Sequence, residues 1–320
     1  PQMARHLTEV IGPRLTGSPG MAKAHEYVTQ LFDEWGLENI EIEPWGEFGR
    51  GWSHENYYGR ILSPWIQPLQ AQPMAWTGST DGTVRGQAMV VQAESADELQ
   101  ALSGRLEGKF ILVEPTAEVI PEFVHQDRRT SLEDLLTPPA AQQGGGGSMT
   151  PEEREVFMAR MRAQREVRNT LYDMAEAEGA LAVLRISSRD DGVIRGGSAG
   201  SREGGAPHGL PHVALARETY NQIYRNVEAG IPVELELNVQ NRFYEDDLME
   251  YNSLADIPGS DKADEYVMLG AHLDSWHMGG GATDNASGSV VMMEAMRILR
   301  AIGVQPRRTI RIALWSGEEQ

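Results

Sequence analysis

The chain of 320 residues contains no cysteine. It therefore forms no disulfide and offers no thiolate that could bind a metal or attack a substrate, and this absence leaves the cellular compartment open. Long apolar runs are missing as well, since none approaches the ~20 residues that a membrane-spanning helix requires. Basic residues are outnumbered, 28 against 47 acidic ones, which gives a net charge of −19. Because no basic run is long enough to follow a phosphate backbone, we expect no nucleic-acid partner.

The remaining composition is that of a globular protein. Hydrophobic residues make up 40% and charged residues 23% of the sequence, and the length allows two domains with their own cores. The sequence begins at Pro1 without a charged-then-apolar leader, as expected for a secreted or periplasmic protein whose signal peptide has been removed. A trimmed chain would begin in the same way. No internal repeat is visible, and the oligomeric state stays open.

The last sixth of the sequence predicts a strand, a helix and a second strand. Residues 266–271 are a nearly uncharged apolar run, typical of a parallel strand covered on both faces. Residues 285–302 are apolar almost all round, which favours a helix packed on a sheet, and Gly303 and Pro306 end it. Residues 309–315 are the second strand. A right-handed crossover places both strands parallel, so we predict an α/β fold with a mixed sheet and helices on both faces.

Residue types that bind metals follow these elements. His272 follows the first strand, Glu318 and Glu319 follow the second, and Asp284 lies on the loop that enters the helix. Because ligands of open sheets bind beyond the carboxyl ends of the strands, we expect these side chains to meet at one edge. Taken singly, a histidine after a strand is usually a loop residue, and a Glu-Glu pair is usually a solvated surface. Their combination at one edge favours a metal site.

The spacing gives each residue a chemical role. In an extended segment His272 and Asp274 point to the same face, so the Asp274 carboxylate is expected to accept the imidazole N–H and direct the other nitrogen to a metal. Asp284 has two oxygens, which can bridge two cations. The adjacent Glu318 and Glu319 point in different directions, so that one can bind metal while the other holds a water. Two metals ~3.5–4 Å apart would make that water a nucleophile and polarise a carbonyl.

Three short motifs occur here in a fixed order: His-Leu-Asp-Ser at 272–275, Gly-Ala-Thr-Asp-Asn at 281–285 and Ser-Gly-Glu-Glu-Gln at 316–320. Together they resemble the co-catalytic zinc aminopeptidases and carboxypeptidases of family M28. The resemblance implies two zinc ions and five site residues: His272 binds one zinc, Asp284 bridges both, Glu319 binds the other, Glu318 is the general base and Asp274 orients the site.

The same resemblance implies two more ligands, an acidic residue and a histidine, beyond the Glu-Glu pair. No upstream residue matches either motif, and the sequence ends at Gln320, so the site is expected to be incomplete here. Near the motifs, His277 is expected to line a pocket or the surface rather than bind metal, and residues 279–281 to form a glycine turn. Arg14, in the loop of residues 12–20, could contact substrate, but solvating or bracing that loop is the favoured role.

Three parts are predicted along the chain. Residues 1–57 form the N-terminal part of a peptidase domain, with helices over 3–11 and 21–35 and a strand over 40–44. Residues 58–242 form a β-rich insertion with a polar excursion at 116–168. Residues 243–320 form the first half of the metal-binding core.

The insertion resembles a protease-associated (PA) domain, which is often inserted in such enzymes and would roof the active site. The resemblance depends on Gly-Lys-Phe-Ile-Leu-Val at 108–113, Glu-Gly-Ala-Leu-Ala-Val at 178–183 and Leu-Pro-His-Val-Ala-Leu at 210–215. An ordinary β-rich insertion is the alternative. Strands are predicted at 74–76, 86–92, 109–114, 180–186, 212–215 and 233–239. The excursion holds a Gly-rich flexible linker at 142–148, and a capping box starts a helix at Thr150 that is predicted to run to Glu178.

By the resemblance, the parent protein is a zinc-dependent exopeptidase that hydrolyses a peptide substrate at one terminus. Aminopeptidase or dipeptidase action is favoured, because a free peptide end must fit a roofed, acidic pocket. A carboxypeptidase would combine the same metal core with a basic pocket. A non-catalytic receptor or binding module of the same fold is a second class of function, and the retention of the four residues His272, Asp284, Glu318 and Glu319 counts against it.

Overall fold

The computed structural model of the protein describes residues 1–93, 95–120, 131–132 and 150–320. The helices are α1 Gln2–Arg5, α2 Pro19–Glu34, α3 Ala96–Leu102, α4 Pro151–Ala177, α5 Arg217–Glu228 and α6 Ser287–Ala301. The strands are β1 Glu38–Glu47, β2 Gly51–Ser63, β3 Gln67–Pro68, β4 Ala71–Pro73, β5 Val84–Val90, β6 Lys109–Leu112, β7 Ala182–Ile186, β8 His212–Leu215, β9 Glu234–Tyr244, β10 Met249–Ile257, β11 Lys262–His272 and β12 Arg308–Trp315. His6–Ile11 and Ala282–Ala286 are π-helical turns.

Among the described residues the strands form two sheets. A four-stranded sheet has the order β1-β10-β12-β11, with β11 and β12 parallel and the other pairs antiparallel. An eight-stranded sheet has the order β3-β2-β9-β5-β6-β7-β8-β4. The eight strands come from residues 51–244, between the first strand of the smaller sheet and its other three. The predicted α/β fold with a mixed sheet is confirmed, whereas the domain boundaries at 57/58 and 242/243 stay predictions.

The four-stranded sheet shares one core with α2 and α6. Along α2, buried apolar side chains recur at helical spacing, and they meet Met293 and Met296 of α6. Ser18 caps α2 by accepting a hydrogen bond from the main-chain N–H of Met21, and Gly36 follows the helix with φ +71°. The helix predicted at 21–35 is therefore confirmed, with its start moved to Pro19. The predicted helix at 285–302 is observed as α6, preceded by the π-helical turn.

Strand β11 departs from the sequence prediction in one respect. It was expected to be covered on both faces, but Tyr266, Val267 and Met268 are exposed. Within the described residues β11 pairs only with β12 and forms the edge of the sheet. The strand predicted from the apolar composition is therefore confirmed, but its predicted burial is wrong. Burial depends on which strands and helices lie beside it.

The eight-stranded sheet has helices on both faces. Along β6, Phe110 and Leu112 point into a core shared with α5, whereas Ile111 points into the opposite core with α3 and α4. The predicted strands at 86–92, 109–114, 180–186, 212–215 and 233–239 are all observed within two or three residues, β9 being longer. The strand predicted at 74–76 is wrong. The strand there is β4, Ala71–Pro73, and Ala75 makes only an isolated bridge to Ser198.

Helix α4 begins as its capping box predicts. The Thr150 hydroxyl accepts a hydrogen bond from the N–H of Glu153 (3.2 Å), and the Thr150 N–H donates to the Glu153 carboxylate (2.8 Å). The helix ends at Ala177, and Gly179 has φ +78°. The predicted linker at 142–148 lies outside the described residues. None of the described helices combines the length and the apolar composition needed to cross a bilayer.

Candidate metal centre

The carboxyl ends of β11 and β12 lie side by side at one edge of the four-stranded sheet. In the parallel register His272 faces Trp315, so the residues after Trp315 emerge next to His272. The Leu273 N–H continues the ladder by donating to the Trp315 carbonyl (2.7 Å). Ser289, in the first turn of α6, donates from its hydroxyl to the His272 carbonyl (2.9 Å), which fixes the helix start at the same edge. Sheet topology thus brings the three motifs together, as predicted from the strand ends.

The predicted ligands converge at this edge. Ligand atoms of His272, Asp284 and Glu319 all lie within 4.8 Å of one another. His272 Nε2 is 3.0 Å from Asp284 Oδ1 and 3.6 Å from Glu318 Oε2. The side chains of Asp284 and Glu318 are 73% and 55% exposed, whereas His272 is 9% exposed, so the group opens to solvent on its acidic side. These are the four side chains that the sequence selects as metal ligands and general base.

Asp274 orients His272 in a different way from that predicted. His272 Nδ1 makes its hydrogen bond to the main-chain carbonyl of Asp274 (3.2 Å), and the Asp274 carboxylate oxygen Oδ1 lies 3.3 Å away. Since a carbonyl only accepts hydrogen bonds, Nδ1 must carry a proton, and in the neutral imidazole this leaves the lone pair on Nε2. The main chain of Asp274, with its carboxylate nearby, therefore directs Nε2 toward Asp284 and Glu318.

These contacts require a positive charge between them. An unprotonated Nε2 and the Asp284 oxygen would both be acceptors, and two acceptors 3.0 Å apart repel each other unless a cation or a proton lies between them. A zinc ion bound to N and O at about 2.0–2.1 Å in tetrahedral geometry would hold these two atoms about 3.3 Å apart. The distances of 3.0 Å and 3.6 Å from Nε2 lie on either side of that value. The residues thus fit zinc in both donor type and spacing.

The electrostatics favour the same conclusion. Asp274 is fully buried, and its Oδ1 has no hydrogen-bond partner within the described part of the chain. Burial, and after it the carboxylates of Asp284 and Asp274, raise the pKa of Glu319. A raised pKa means that negative charge in this group is poorly compensated by the protein itself. A bound divalent cation would compensate it.

Thr16 supports the centre from the N-terminal loop, and the sequence analysis missed it. Its buried hydroxyl donates to Asp274 Oδ2 (3.2 Å) and accepts from the Gly317 N–H (3.1 Å), linking two of the three motifs. Asp274 Oδ2 also accepts from the Glu319 N–H (3.1 Å). Gly317 has φ +82°, and a Cβ there would lie 3.0 Å from the Trp45 ring, which explains the glycine before the Glu-Glu pair. A threonine in a Gly/Pro loop gives no sequence signal for such a role.

His277 and Arg14 lie outside the ligand group. His277 donates from Nε2 to the Pro73 carbonyl (2.8 Å) and packs edge-on against Trp52, with ring centroids 5.0 Å apart. The expectation that it lines a pocket or the surface rather than binding metal stays a prediction. Arg14 is buried and bonded to main-chain carbonyls, so it braces its loop, and the alternatives of solvation and substrate contact do not apply to it.

One cation from the eight-stranded side reaches the end of the third motif. Arg202 lies over the rings of Phe48 and Trp76, 4.7 Å and 5.8 Å from their centroids, and donates from Nη1 to the Gln320 carbonyl (3.4 Å). Its main chain is fixed by Arg50, whose N–H donates to the Arg202 carbonyl (2.8 Å). It forms no ion pair with a described carboxylate, which leaves its charge available beside the acidic group.

Comparison with known proteins gives consistent matches. The family model of peptidase family M28 matches residues 252–320. Carboxypeptidase Q of Homo sapiens is 27% identical over 320 residues, which cover 98% of this chain and 57% of that protein. Leupeptin-inactivating enzyme 1 of Streptomyces exfoliatus is 41% identical over 69 residues, 22% of this chain and 16% of that enzyme. The chain therefore spans little more than half the length of the carboxypeptidase Q relatives.

Solved structures show the same fold over nearly the whole chain. The M28 peptidase precursor of Shewanella amazonensis SB2B superposes with a TM-score of 0.62 at 24% identity, covering 99% of this chain and 63% of that one. The zinc aminopeptidase BSAP of Bacillus subtilis gives a TM-score of 0.53 at 17% identity, covering 99% and 61%. At these identities the likeness concerns the fold.

Proposed function

We propose that this chain forms the metal-binding part of a zinc-dependent exopeptidase, because residues 252–320 match the M28 family model and 98% of the chain aligns with carboxypeptidase Q. The observation that carries the proposal is the convergence of His272, Asp284 and Glu319, whose ligand atoms lie within 4.8 Å of one another at the carboxyl ends of two parallel strands. Singly, each of these residues is ordinary on a protein surface. Their convergence, with the His272 imidazole facing carboxylates, is the arrangement expected of a metal site.

We assign His272, Asp284 and Glu319 as zinc ligands, with Asp284 bridging two ions. The two oxygens and the 73% exposure of the Asp284 side chain support a bridging role, and the raised pKa of Glu319, caused first by burial, supports its use as a ligand. Asp274 is assigned as the orienting acid, because it lies against His272 Nδ1 and is fully buried. The two-ion count is part of the proposal.

Glu318 is assigned as the general base. Zinc in this site would polarise the scissile carbonyl and acidify the attacking water. Glu318 is 55% exposed and within 3.6 Å of His272 Nε2, so it can receive the proton that the water loses. The water oxygen forms the new bond to the carbonyl carbon, the C–N bond breaks, and Glu318 passes the proton to the leaving amine. The products are a carboxylate and a free amine.

The choice of peptide terminus has two candidates. Aminopeptidase or dipeptidase action is supported by the exposed carboxylates of Asp284 and Glu318, which would attract a free α-ammonium group. Carboxypeptidase action is favoured by Arg202, a guanidinium at Gln320 without an ion-pair partner among the described residues, which could bind a terminal carboxylate. The name of the carboxypeptidase Q relatives agrees with the second candidate. A non-catalytic binding module is the remaining alternative.

A role for residues 58–242 and a cellular location belong to the same proposal. Residues 58–242 are proposed to act as a PA-like roof, supported by the contacts of Met278 and His277, near the metal centre, with Gly196 and Pro73 on the eight-stranded side. A secreted or periplasmic location is the second assignment. Detection of the mature protein in the culture medium or periplasmic fraction, rather than in the cytosol, tests it.

The proposed function is tested by zinc content and hydrolysis together. We expect the dialysed chain to retain zinc by elemental analysis, and His272→Ala and Asp284→Asn to lose it. Asp81→Asn is the matched control for loss of an acidic side chain, because Asp81 is exposed and lies in the connection between β4 and β5. Glu318→Gln is expected to keep zinc and lose hydrolysis by more than about 100-fold, since general-base catalysis contributes 10²–10⁴.

Hydrolysis is measured with three reporters: an aminoacyl amide with a free amine, an N-blocked dipeptide with a free carboxylate, and a free dipeptide. The chain is tested alone and within a protein of the full length of its relatives. Preference for the first reporter supports an aminopeptidase, and preference for the second supports a carboxypeptidase. Material that binds no zinc and hydrolyses none of them at either length would overturn the peptidase proposal in favour of a binding module.

A further inference from the structure

Arg14 is a fully buried cation without an anionic hydrogen-bond partner in the described chain. It lies between the π-helical turn His6–Ile11 and α2, and 0% of its surface is exposed. The guanidinium donates hydrogen bonds of 2.7–3.1 Å to five main-chain carbonyls, those of Leu7, Gly12, Leu273, Gly280 and Gly281. Burial lowers the pKa of Arg14, and the opposing attraction of Asp274 is smaller. Burying a charge is costly, and the five hydrogen bonds compensate for the lost hydration of the guanidinium.

The acceptors place Arg14 against both ends of the loop that joins the proposed ligands His272 and Asp284. Leu273 lies between His272 and Asp274 in sequence, and its carbonyl receives the shortest of the five bonds, from Nε (2.7 Å). Gly280 and Gly281 immediately precede the turn that contains Asp284 and receive bonds from Nη1 (2.9 Å) and Nη2 (3.0 Å). One planar group therefore fixes both ends of the segment that lies between His272 and Asp284.

The main chain around Arg14 continues the same attachment. The Ser275 N–H donates to the Arg14 carbonyl (3.0 Å), and the Arg14 N–H donates to the Ser275 hydroxyl (3.1 Å). Gly281 is packed so closely that a Cβ there would lie 2.3 Å from Ser275 Cβ and 2.8 Å from Arg14 Nη2. The loop of residues 273–281 is thus held at both ends by one residue of the N-terminal loop, 259 or more positions away in sequence.

We propose that Arg14 is a positioning residue, which sets the spacing of His272 and Asp284 for cation binding. The inference rests on the proposed function, since it concerns the same metal site. Arg14 contacts no proposed ligand atom and acts only through the carbonyls of their neighbours. Arginine is needed because its five N–H donors diverge in one rigid plane, whereas lysine has three donors at a single point and cannot reach carbonyls at both ends of the loop at once.

The sign of the effect separates positioning from simple electrostatics. A buried positive charge near the site repels a divalent cation, so its removal alone would tighten zinc binding. Loss of positioning would weaken zinc binding, since the ligand spacing would relax. Arg14→Met removes the charge and the hydrogen bonds, and Arg14→Lys keeps the charge but not the planar fork. Positioning therefore predicts that both variants bind zinc more weakly, and electrostatics predicts that only the methionine variant changes, toward tighter binding.

The test is a zinc titration of the full chain against a competing chromophoric chelator, using Zn²⁺ alone. We expect Arg14→Met and Arg14→Lys to weaken zinc binding about 10- to 100-fold, the range typical of residues that support metal ligands. The matched control is Val28→Ala, a buried α2 residue of the same core whose apolar side chain makes none of the Arg14 hydrogen bonds. It should reduce stability and leave zinc affinity within twofold. Far-UV circular dichroism confirms that each protein is folded at the temperature of titration.

A second variant covers the case in which the Arg14 variants do not fold. Ser275→Ala removes the acceptor of the Arg14 N–H while the guanidinium stays in place, and it should weaken zinc binding several-fold. Wild-type zinc binding with unchanged or tighter binding in the folded variants would overturn the positioning role and leave the proposed function intact. Absence of zinc binding in the wild-type chain would overturn the proposed function, and this inference with it.

Discussion

Acidification is expected to destabilise the protein through His277, and glutamine at this position should remove the effect. His277 donates from Nε2 to the Pro73 carbonyl (2.8 Å), and its buried Nδ1 has no hydrogen-bond partner within the described chain. A second proton would have to be placed on that nitrogen. Burial lowers the pKa of His277 from 6.5 to about 4, against the smaller, opposing effect of the bond to Pro73, and neighbouring His54 lowers it further.

The sign follows from comparing the folded and unfolded states. Below pH 6.5 the unfolded chain binds a proton at His277, whereas the folded chain binds it only near pH 4. Stability is therefore present above this window and is lost as pH falls through it. At about 1.4 kcal/mol for each pH unit between the two pKa values, the free energy of unfolding decreases by about 3 kcal/mol.

The assay is urea unfolding of the zinc-free chain at several values between pH 7 and pH 4.5. We expect wild type to lose roughly 2–3 kcal/mol more than His277→Gln over this range, because the glutamine amide can donate to Pro73 but cannot titrate. His6→Gln, on the N-terminal π-helical turn, is the control for loss of a histidine elsewhere. Parallel curves for wild type and His277→Gln would refute the reasoning.

Two further predictions concern the metal centre and the long helix. Glu319→Gln should raise the melting temperature of the zinc-free chain at pH 7 and abolish the rise that zinc produces. Burial, and after it Asp284 and Asp274, raise the pKa of Glu319, so ionisation of its carboxyl costs stability as the pH rises through the folded-state pKa. Equal melting temperatures of the two zinc-free proteins, measured by calorimetry, would contradict this. Thr150→Ala should lower the free energy of unfolding by about 1 kcal/mol, because it removes the hydroxyl that caps α4. Thr170→Ala is the matched control, since it loses only a hydrogen bond to the Glu166 carbonyl within the same helix. Hydrogen exchange of the amides in the first turn of α4 measures the difference.

The site residues could be predicted because their placement follows from topology. Once two parallel strands end at one edge, His272 and the Glu318-Glu319 pair must be neighbours, and a helix that returns to that edge brings Asp284 to them. Motifs and their spacing can be read locally from the sequence. Parallel strands that end at the same edge of a sheet then bring these motifs close together in space. The roles of these residues remain proposals, although their convergence is observed.

The supporting residues could not be predicted, because they depend on long-range contacts. Arg14 and Thr16 meet the metal-centre loops across more than 250 positions of sequence, and nothing in the Gly/Pro-rich loop distinguishes a buried arginine from a solvated one. The long strand β2 was not assigned for a similar reason. Its sequence, Gly51–Ser63, is largely polar, and its pairing with β9 defines it as a strand.

The error at residues 74–76 shows the same limit in the opposite direction. Met74, Ala75 and Trp76 have the apolar composition of a strand, yet Trp76 adopts φ +59°, which is incompatible with extended pairing. Its indole is buried and donates to the Arg50 carbonyl (2.9 Å). The apolar side chains here belong to a packing cluster between the two sheets and not to a hydrogen-bonded strand. Composition alone does not distinguish these two kinds of buried segment.

These contacts connect the proposed metal centre to the eight-stranded part of the molecule. The loop after β11 is bound to the N-terminal loop through Arg14, and two of its later residues reach the other sheet: His277 bonds to Pro73, and Met278 Sδ accepts from the Gly196 N–H (3.1 Å). Because the same loop runs from His272 to Asp284, its geometry is shared between ligand spacing and inter-sheet packing. The eight-stranded part is therefore in direct contact, through this loop, with the proposed metal centre.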